Sequence, residues 1–136
     1  ITISSIFFLN LSLNKKTDLE WENFDKKLLQ KYINENKFIL VDVTAQWCVT
    51  CQVNKYTTLQ NKSIEEFILK NNIKILRADW TEKDNKILEF ISKHGRFGIP
   101  VNLIYSPQNK DGILLPEILS KDMLISKFKK AGLYEN

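Results

Sequence analysis

The chain has 136 residues, 43% of them apolar and 26% charged, with a formal charge of +4. That is an ordinary globular composition of single-domain length, long enough to bury a core without a framework of disulfides. The charge argues against a nucleic-acid binder, because the lysines are spread along the chain. The densest basic run, Lys127-Phe128-Lys129-Lys130, falls near the end of an expected helix, where cations on a solvated face complement the helix dipole.

In chain order, residues 1–13 (ITISSIFFLNLSL) are apolar and precede Lys15 and Lys16. The run is too short to span a bilayer, and it lacks the basic start and small-residue cleavage site of a signal peptide. It reads as an extra strand or a disordered end, or else as the tail of a membrane helix in a piece of a longer chain. Taken alone, the segment favours the first reading. Residues 18–36 place Leu19, Phe24, Leu28, Leu29, Tyr32 and Ile33 at helical spacing. Residues 38–43 (FILVDV) form a nearly continuous apolar run, which predicts a strand buried on both faces. A helix is expected from the cysteines to about Leu59. Residues 63–71 predict another, with Ser63 as N-cap and Glu66 three residues on. Residues 73–78 (IKILRA) predict a second strand. Residues 81–94 predict a helix, with Thr81 and Asp84 as an acidic variant of a capping box and Gly95 as the C-cap. Residues 101–105 (VNLIY) predict a third strand. Residues 107–112 (PQNKDG) are turn chemistry, and residues 113–115 begin a hairpin partner. A last helix covers residues 120–131. Alternating strands and helices followed by a hairpin and a helix imply one mixed β-sheet covered by helices, an α/β fold.

The chemistry gathers at WCVTC, residues 47–51, which holds the chain's two cysteines, Cys48 and Cys51. They could be half of a metal site, a structural bridge or a redox couple. Zinc fits poorly, because a structural site wants four ligands and the chain offers one cysteine pair and a single histidine, His94. His94 reads as a surface or helix-capping residue. A structural bridge is a weak reading too, since so small a loop restrains the unfolded chain little. The redox reading has a physical basis. The pair follows a buried strand and opens a helix, where unpaired backbone N–H groups and the positive dipole end stabilise a thiolate. Cys48 would be the exposed nucleophile and Cys51, one turn further in, the buried resolving thiol. Trp47 would shield the site and offer an apolar docking surface.

FILVDVTAQWCVTC resembles the active-site strand and helix start of the thioredoxin superfamily. The likeness runs from about residue 21 to residue 131 and includes RFGIPV at 96–101, where Ile99-Pro100 matches the cis-proline element that faces the two cysteines. VDVTAQWCVTCQVNK, RADWT at 77–81 and LLPEIL at 114–119 look like the C-terminal domain of the transmembrane thiol:disulfide interchange protein DsbD family. This resemblance implies a thioredoxin-like fold over residues 18–136, preceded by a linker or membrane-helix end over residues 1–17. It implies a protein-disulfide reductase on the periplasmic side of the bacterial inner membrane. The domain would take electrons from a membrane-embedded domain and pass them to other domains of the same protein and to periplasmic thiol proteins. The Cys48–Cys51 couple would be the only cofactor. No metal or nucleic acid is implied, and the isolated domain would be a monomer. Ile99 and Pro100 would join Trp47 in holding the partner chain.

Asp42 sits inside FILVDVT, where a lone buried carboxylate is costly. Its place matches the buried acid behind the cysteines of thioredoxins, which implies a proton acceptor for Cys51; a strand-end aspartate reaching water is the plainer reading. The chain also departs from its relatives. Val49-Thr50 replaces the common Gly-Pro between the cysteines, and the stretch after Cys51 (Gln52-Val53-Asn54-Lys55) lacks the acidic residue found in many of them. Trp80 could pack near the site or be plain core. Two other readings remain: a free-standing thioredoxin-like reductase, and a docking module whose cysteines do not cycle.

Overall fold

The apolar run ILVDVT is fully buried and forms the central strand. In a computed structural model describing residues 19–134, it is β2, Ile39–Thr44. Parallel strand β3, Lys74–Asp79, lies on one side of it and antiparallel β4, Val101–Ser106, on the other. The short β1, Glu22–Asn23, adds to β3, and β5, Asn109–Leu114, pairs with β4, so the order is β1-β3-β2-β4-β5. Five α-helices connect and cover the strands: α1 Lys26–Asn34, α2 Val49–Asn54, α3 Lys62–Lys70, α4 Asn85–Ser92 and α5 Lys121–Lys130. A π-helical turn, Lys55–Leu59, extends α2.

Side-chain alternation splits the core in two. Ile39, Val41 and Val43 pack with Leu76, Leu103 and the buried side chains of α1 and α4. Leu40, Ile75 and Ile104 face the other way, onto Leu59, α3 and α5. The expected mixed sheet with helices on both faces is therefore what forms. The basic run near the C-terminus closes α5 as expected, with Phe128 fully buried and Lys129 and Lys130 exposed.

Several boundaries differ from expectation. Residues 18–36 are not one helix: the edge strand β1 comes first, and Asp25 caps α1 by accepting from Lys27 N–H. Helix α3 is capped by Asn61, whose side chain accepts from Ser63 N–H; Ser63 lies inside the first turn. Helix α4 begins after Asp84, which accepts from Lys86 N–H, so Thr81 caps nothing. The helix ends at Ser92 with Lys93 as its C-cap, and Gly95 instead closes the turn that follows, at φ +76° with its N–H donating to Ser92 O at 3.0 Å. The turn chemistry of PQNKDG is confined to Pro107 and Gln108, and the remaining four residues already belong to β5. Gly112 is there for space: at φ +90°, an added Cβ would lie 2.9 Å from the Tyr105 ring. The linker and membrane-end expectation for residues 1–17 lies outside the described residues.

Candidate active site

Cys48 is the N-cap of α2 and is bonded to Cys51, with Cα atoms 5.3 Å apart. The backbone N–H of Cys51 donates to Cys48 Sγ at 3.2 Å, and that of Gln52 donates to Cys48 O at 3.2 Å. The Gln52 side chain reaches back to Ala45 O at 3.0 Å, which fixes the strand-to-helix turn. Cys48 is only 6% exposed and Cys51 2%, so in the disulfide form Cys48 is the more accessible sulfur without being an exposed one. Trp47, next to Cys48 in the chain, turns toward the loop after β3. It is 49% exposed, and its indole N–H donates to Thr81 O at 3.0 Å. The Lys83 ammonium lies 5.2 Å from its ring centroid.

Ile99 packs against Ala45, Cys48 and Cys51, and the Ile99–Pro100 peptide bond is cis. Pro100 is buried and opens onto β4. The loop before it is tied across the site by Arg96, whose guanidinium donates to Glu117 at 3.1 Å. Exposed apolar side chains rim this end of the molecule: Trp47, Val49 and Val53 around the cysteine helix, and Phe97 in the loop leading to Ile99. Ile99 and the cysteines are thus brought together, with Pro100 following Ile99 and Trp47 preceding Cys48 in the chain.

Asp42 lies on the sheet face that Leu40 shares with Leu59, below the cysteine helix, and is 2% exposed. It is not unpartnered. Arg77, directly across on β3, donates from Nε to Oδ2 at 3.1 Å. Burial pushes the Asp42 carboxyl above its ordinary range, while Arg77 and Lys55 pull against it. The guanidinium is held in turn by Trp21, whose ring centroid is 3.9 Å away.

Sequence reasoning passed over Arg77, and it passed over Thr81 as an anchor. Thr81 Oγ1 accepts from Gln46 N–H at 3.0 Å, and its own N–H and hydroxyl both donate to Asp79, whose carboxyl they hold below its usual range. RADWT therefore braces the turn that presents WCVTC. Trp80 is both of the things expected of it, since it is a core side chain and its ring lies 6.0 Å from that of Trp47. His94 sits elsewhere, against Phe90 and Tyr105 at the end of α4, and burial lowers its pKa. Among the described residues, no three His, Cys, Asp or Glu side chains are grouped to hold a metal, and no helix is long and apolar enough to cross a membrane.

Comparison with known proteins agrees with this geometry. The chain is 25% identical over 128 residues to the thiol:disulfide interchange protein DsbD of Campylobacter jejuni, a match that covers 93% of this chain and 22% of that protein. The chain thus spans about a fifth of the length of the curated relatives it matches. Among solved structures, the oxidised C-terminal domain of Neisseria meningitidis DsbD superposes with a TM-score of 0.61 at 18% identity, over 81% of this chain and 98% of that one. A thioredoxin from Halobacterium salinarum superposes at 0.63 with 14% identity, over 90% and 99%. The Thioredoxin-like family model matches residues 20–107, well over half of the sequence. With a cysteine pair joined at the head of its helix, the chain belongs to the thioredoxin-like family.

Proposed function

We propose that the chain relays electrons from a membrane-embedded domain to partners on the periplasmic side of the bacterial inner membrane, using Cys48 and Cys51 as its only redox group. The observation that carries this reading is the Cys48–Cys51 disulfide at the head of α2, packed against Ile99. The similarity to DsbD over nearly the whole chain supports the relay and the location.

In the reduced protein the Cys48 thiolate, aided by the Cys51 N–H, attacks a partner disulfide. A Cys48–partner bond forms and one partner thiolate leaves. Asp42 then accepts the Cys51 proton, and the Cys51 thiolate attacks Cys48 Sγ. The Cys48–Cys51 bond closes, the second partner sulfur leaves, and two electrons have passed to the partner. The membrane-embedded domain resets the couple by the reverse exchange. Trp47, Ile99 and Pro100 hold the partner segment at the rim, and the domain works as a monomer.

The test is trapping in cells that carry the full-length protein. Cys51→Ser should accumulate a mixed disulfide at Cys48 with another domain of the same protein, and Cys48→Ser should not. A free-standing reductase would instead trap only separate proteins. A Cys48–Cys51 couple that does not equilibrate with a glutathione buffer would leave the docking module as the answer.

A further inference from the structure

The sheet face that carries Asp42 holds a buried polar row. Arg77 on β3, Asp42 on β2 and Asn102 on β4 are register partners, and directly paired residues project to the same face. Their neighbours along the strands, Ile75, Leu40 and Ile104, belong to the core beneath α3 and α5. Asn102 is 1% exposed, and neither its Nδ2 nor its Oδ1 has a hydrogen-bond partner among the described residues. Unpaired buried amides are rare because each polar atom has given up water for nothing.

We propose that Asn102 is a positioning residue for the Asp42 carboxyl, serving it in both of its protonation states. The proposal rests on the reading of Asp42 as proton acceptor for Cys51. That role requires a buried carboxyl to alternate between anion and acid. Arg77 can donate to either form but cannot accept from the acid, since a guanidinium donates and never accepts. Once Asp42 takes the Cys51 proton, its new O–H needs an acceptor. A side-chain amide supplies one: Oδ1 accepts from the acid O–H while Nδ2 donates to the acid carbonyl, and Nδ2 donates to the carboxylate when the proton has gone. Directly opposed residues of an antiparallel pair hold their Cβ atoms about 4.5–5.5 Å apart, and the terminal torsions of Asn and Asp are soft, so the register puts the two side chains within reach of each other. The charged groups that act on Asp42 are Arg77 from β3 and Lys55 from the π-helical turn; the Cys51 thiol of α2, freed when the disulfide opens, is the titrating group that the proposed proton transfer adds. The buried side chains of α3 and α5 are apolar.

The unaltered protein provides the first test. Its Asn102 side-chain amide resonances, followed against pH beside the Asp42 carboxyl carbon, should titrate with the same midpoint in both redox forms. Asn102→Leu should then raise the Asp42 midpoint by about one pH unit, because a hydrogen bond to the anion is the stronger of the two that are lost. Below that midpoint, thiol exchange should slow about tenfold, in step with the smaller ionised fraction of Asp42. Asn102→Ser, which keeps a donor and an acceptor, should recover part of the loss. In an Asp42→Asn background, Asn102→Leu should slow exchange no further. Amide resonances blind to the Asp42 titration, or an unmoved midpoint in Asn102→Leu, would overturn the proposal; if that variant does not fold, the resonances of the unaltered protein decide. Should the midpoints agree while Asp42→Asn exchanges at full rate, the positioning contact stands and the reading of Asp42 as proton acceptor falls.

Discussion

Cys48 and Cys51 share one bond but not one environment. Cys48 caps the helix and receives the Cys51 N–H, whereas Cys51 lies one turn deeper. Alkylation of the reduced protein near neutral pH should therefore label Cys48 at least about tenfold faster than Cys51; equal rates would remove the assignment of roles. Asp42 makes a sharper case. Burial, only partly offset by Arg77 and Lys55, raises its pKa in the fold, so the folded protein holds this proton more tightly than the unfolded chain does. The fold bears no penalty below the unfolded value, near 3.8. Above it stability is lost as pH rises, at about 1.4 kcal/mol per pH unit, until the folded pKa is passed. Asp42→Asn escapes that cost and keeps an acceptor for Arg77. Urea titrations across pH should show its advantage over the unaltered protein opening above about pH 4 and levelling off above the folded pKa, while mixed disulfides at Cys48 resolve more slowly. A variant less stable at neutral pH that exchanges at full rate would mark Asp42 as purely structural. The cysteines and Asp42 were legible in the sequence because each signal is local: a fixed spacing, and one carboxylate in an apolar run. Arg77 and Asn102 were not, because register between strands distant in the chain decides which side chains meet Asp42.

Elements were read well in kind and less well at their ends. Strands β2, β3 and β4 stand out because buried strands are continuous apolar runs. Caps are harder, since several residues near a helix start can serve and only the backbone path selects one. Asn61 and Asp84 are the caps, whereas Ser63 and Thr81 were expected. Thr81 was free for other work because β3 ends in a turn that folds back onto the cysteine loop. The same path-dependence hides Asn54. This side chain, 1% exposed on the last residue of α2, donates to Glu117 O at 2.7 Å and accepts from Leu119 N–H at 3.0 Å. It clamps the cysteine helix to the LLPEIL segment. Asn54→Ala would leave the buried Leu119 N–H unpaired and take a partner from the part-buried Glu117 carbonyl, and should cost about 1–3 kcal/mol. Hydrogen exchange at Leu119 should accelerate with it. Unchanged protection there would mean that the segment is held by its apolar contacts alone.

At the scale of the whole molecule, a mixed sheet covered on both faces follows from the order of strands and helices, and it was expected on that ground. The two-residue β1 escaped notice because so short an edge strand carries no periodicity, yet it seats Trp21 beside Arg77. The disulfide has a consequence at this scale as well. It spans a sequence separation of 3, so opening it hardly changes the freedom of the unfolded chain. Oxidised and reduced, folded and unfolded forms make a closed thermodynamic cycle. The difference in unfolding free energy between the two redox forms must then equal the displacement of the reduction potential by the fold, with about 1.4 kcal/mol for every 30 mV of a two-electron couple. The proposed donation of electrons to partners needs a fold that favours the disulfide, so on that proposal paired denaturation curves should find the oxidised form the more stable. The opposite order would describe an oxidant. Reducing power and folding energy are, in this chain, one quantity read in two units.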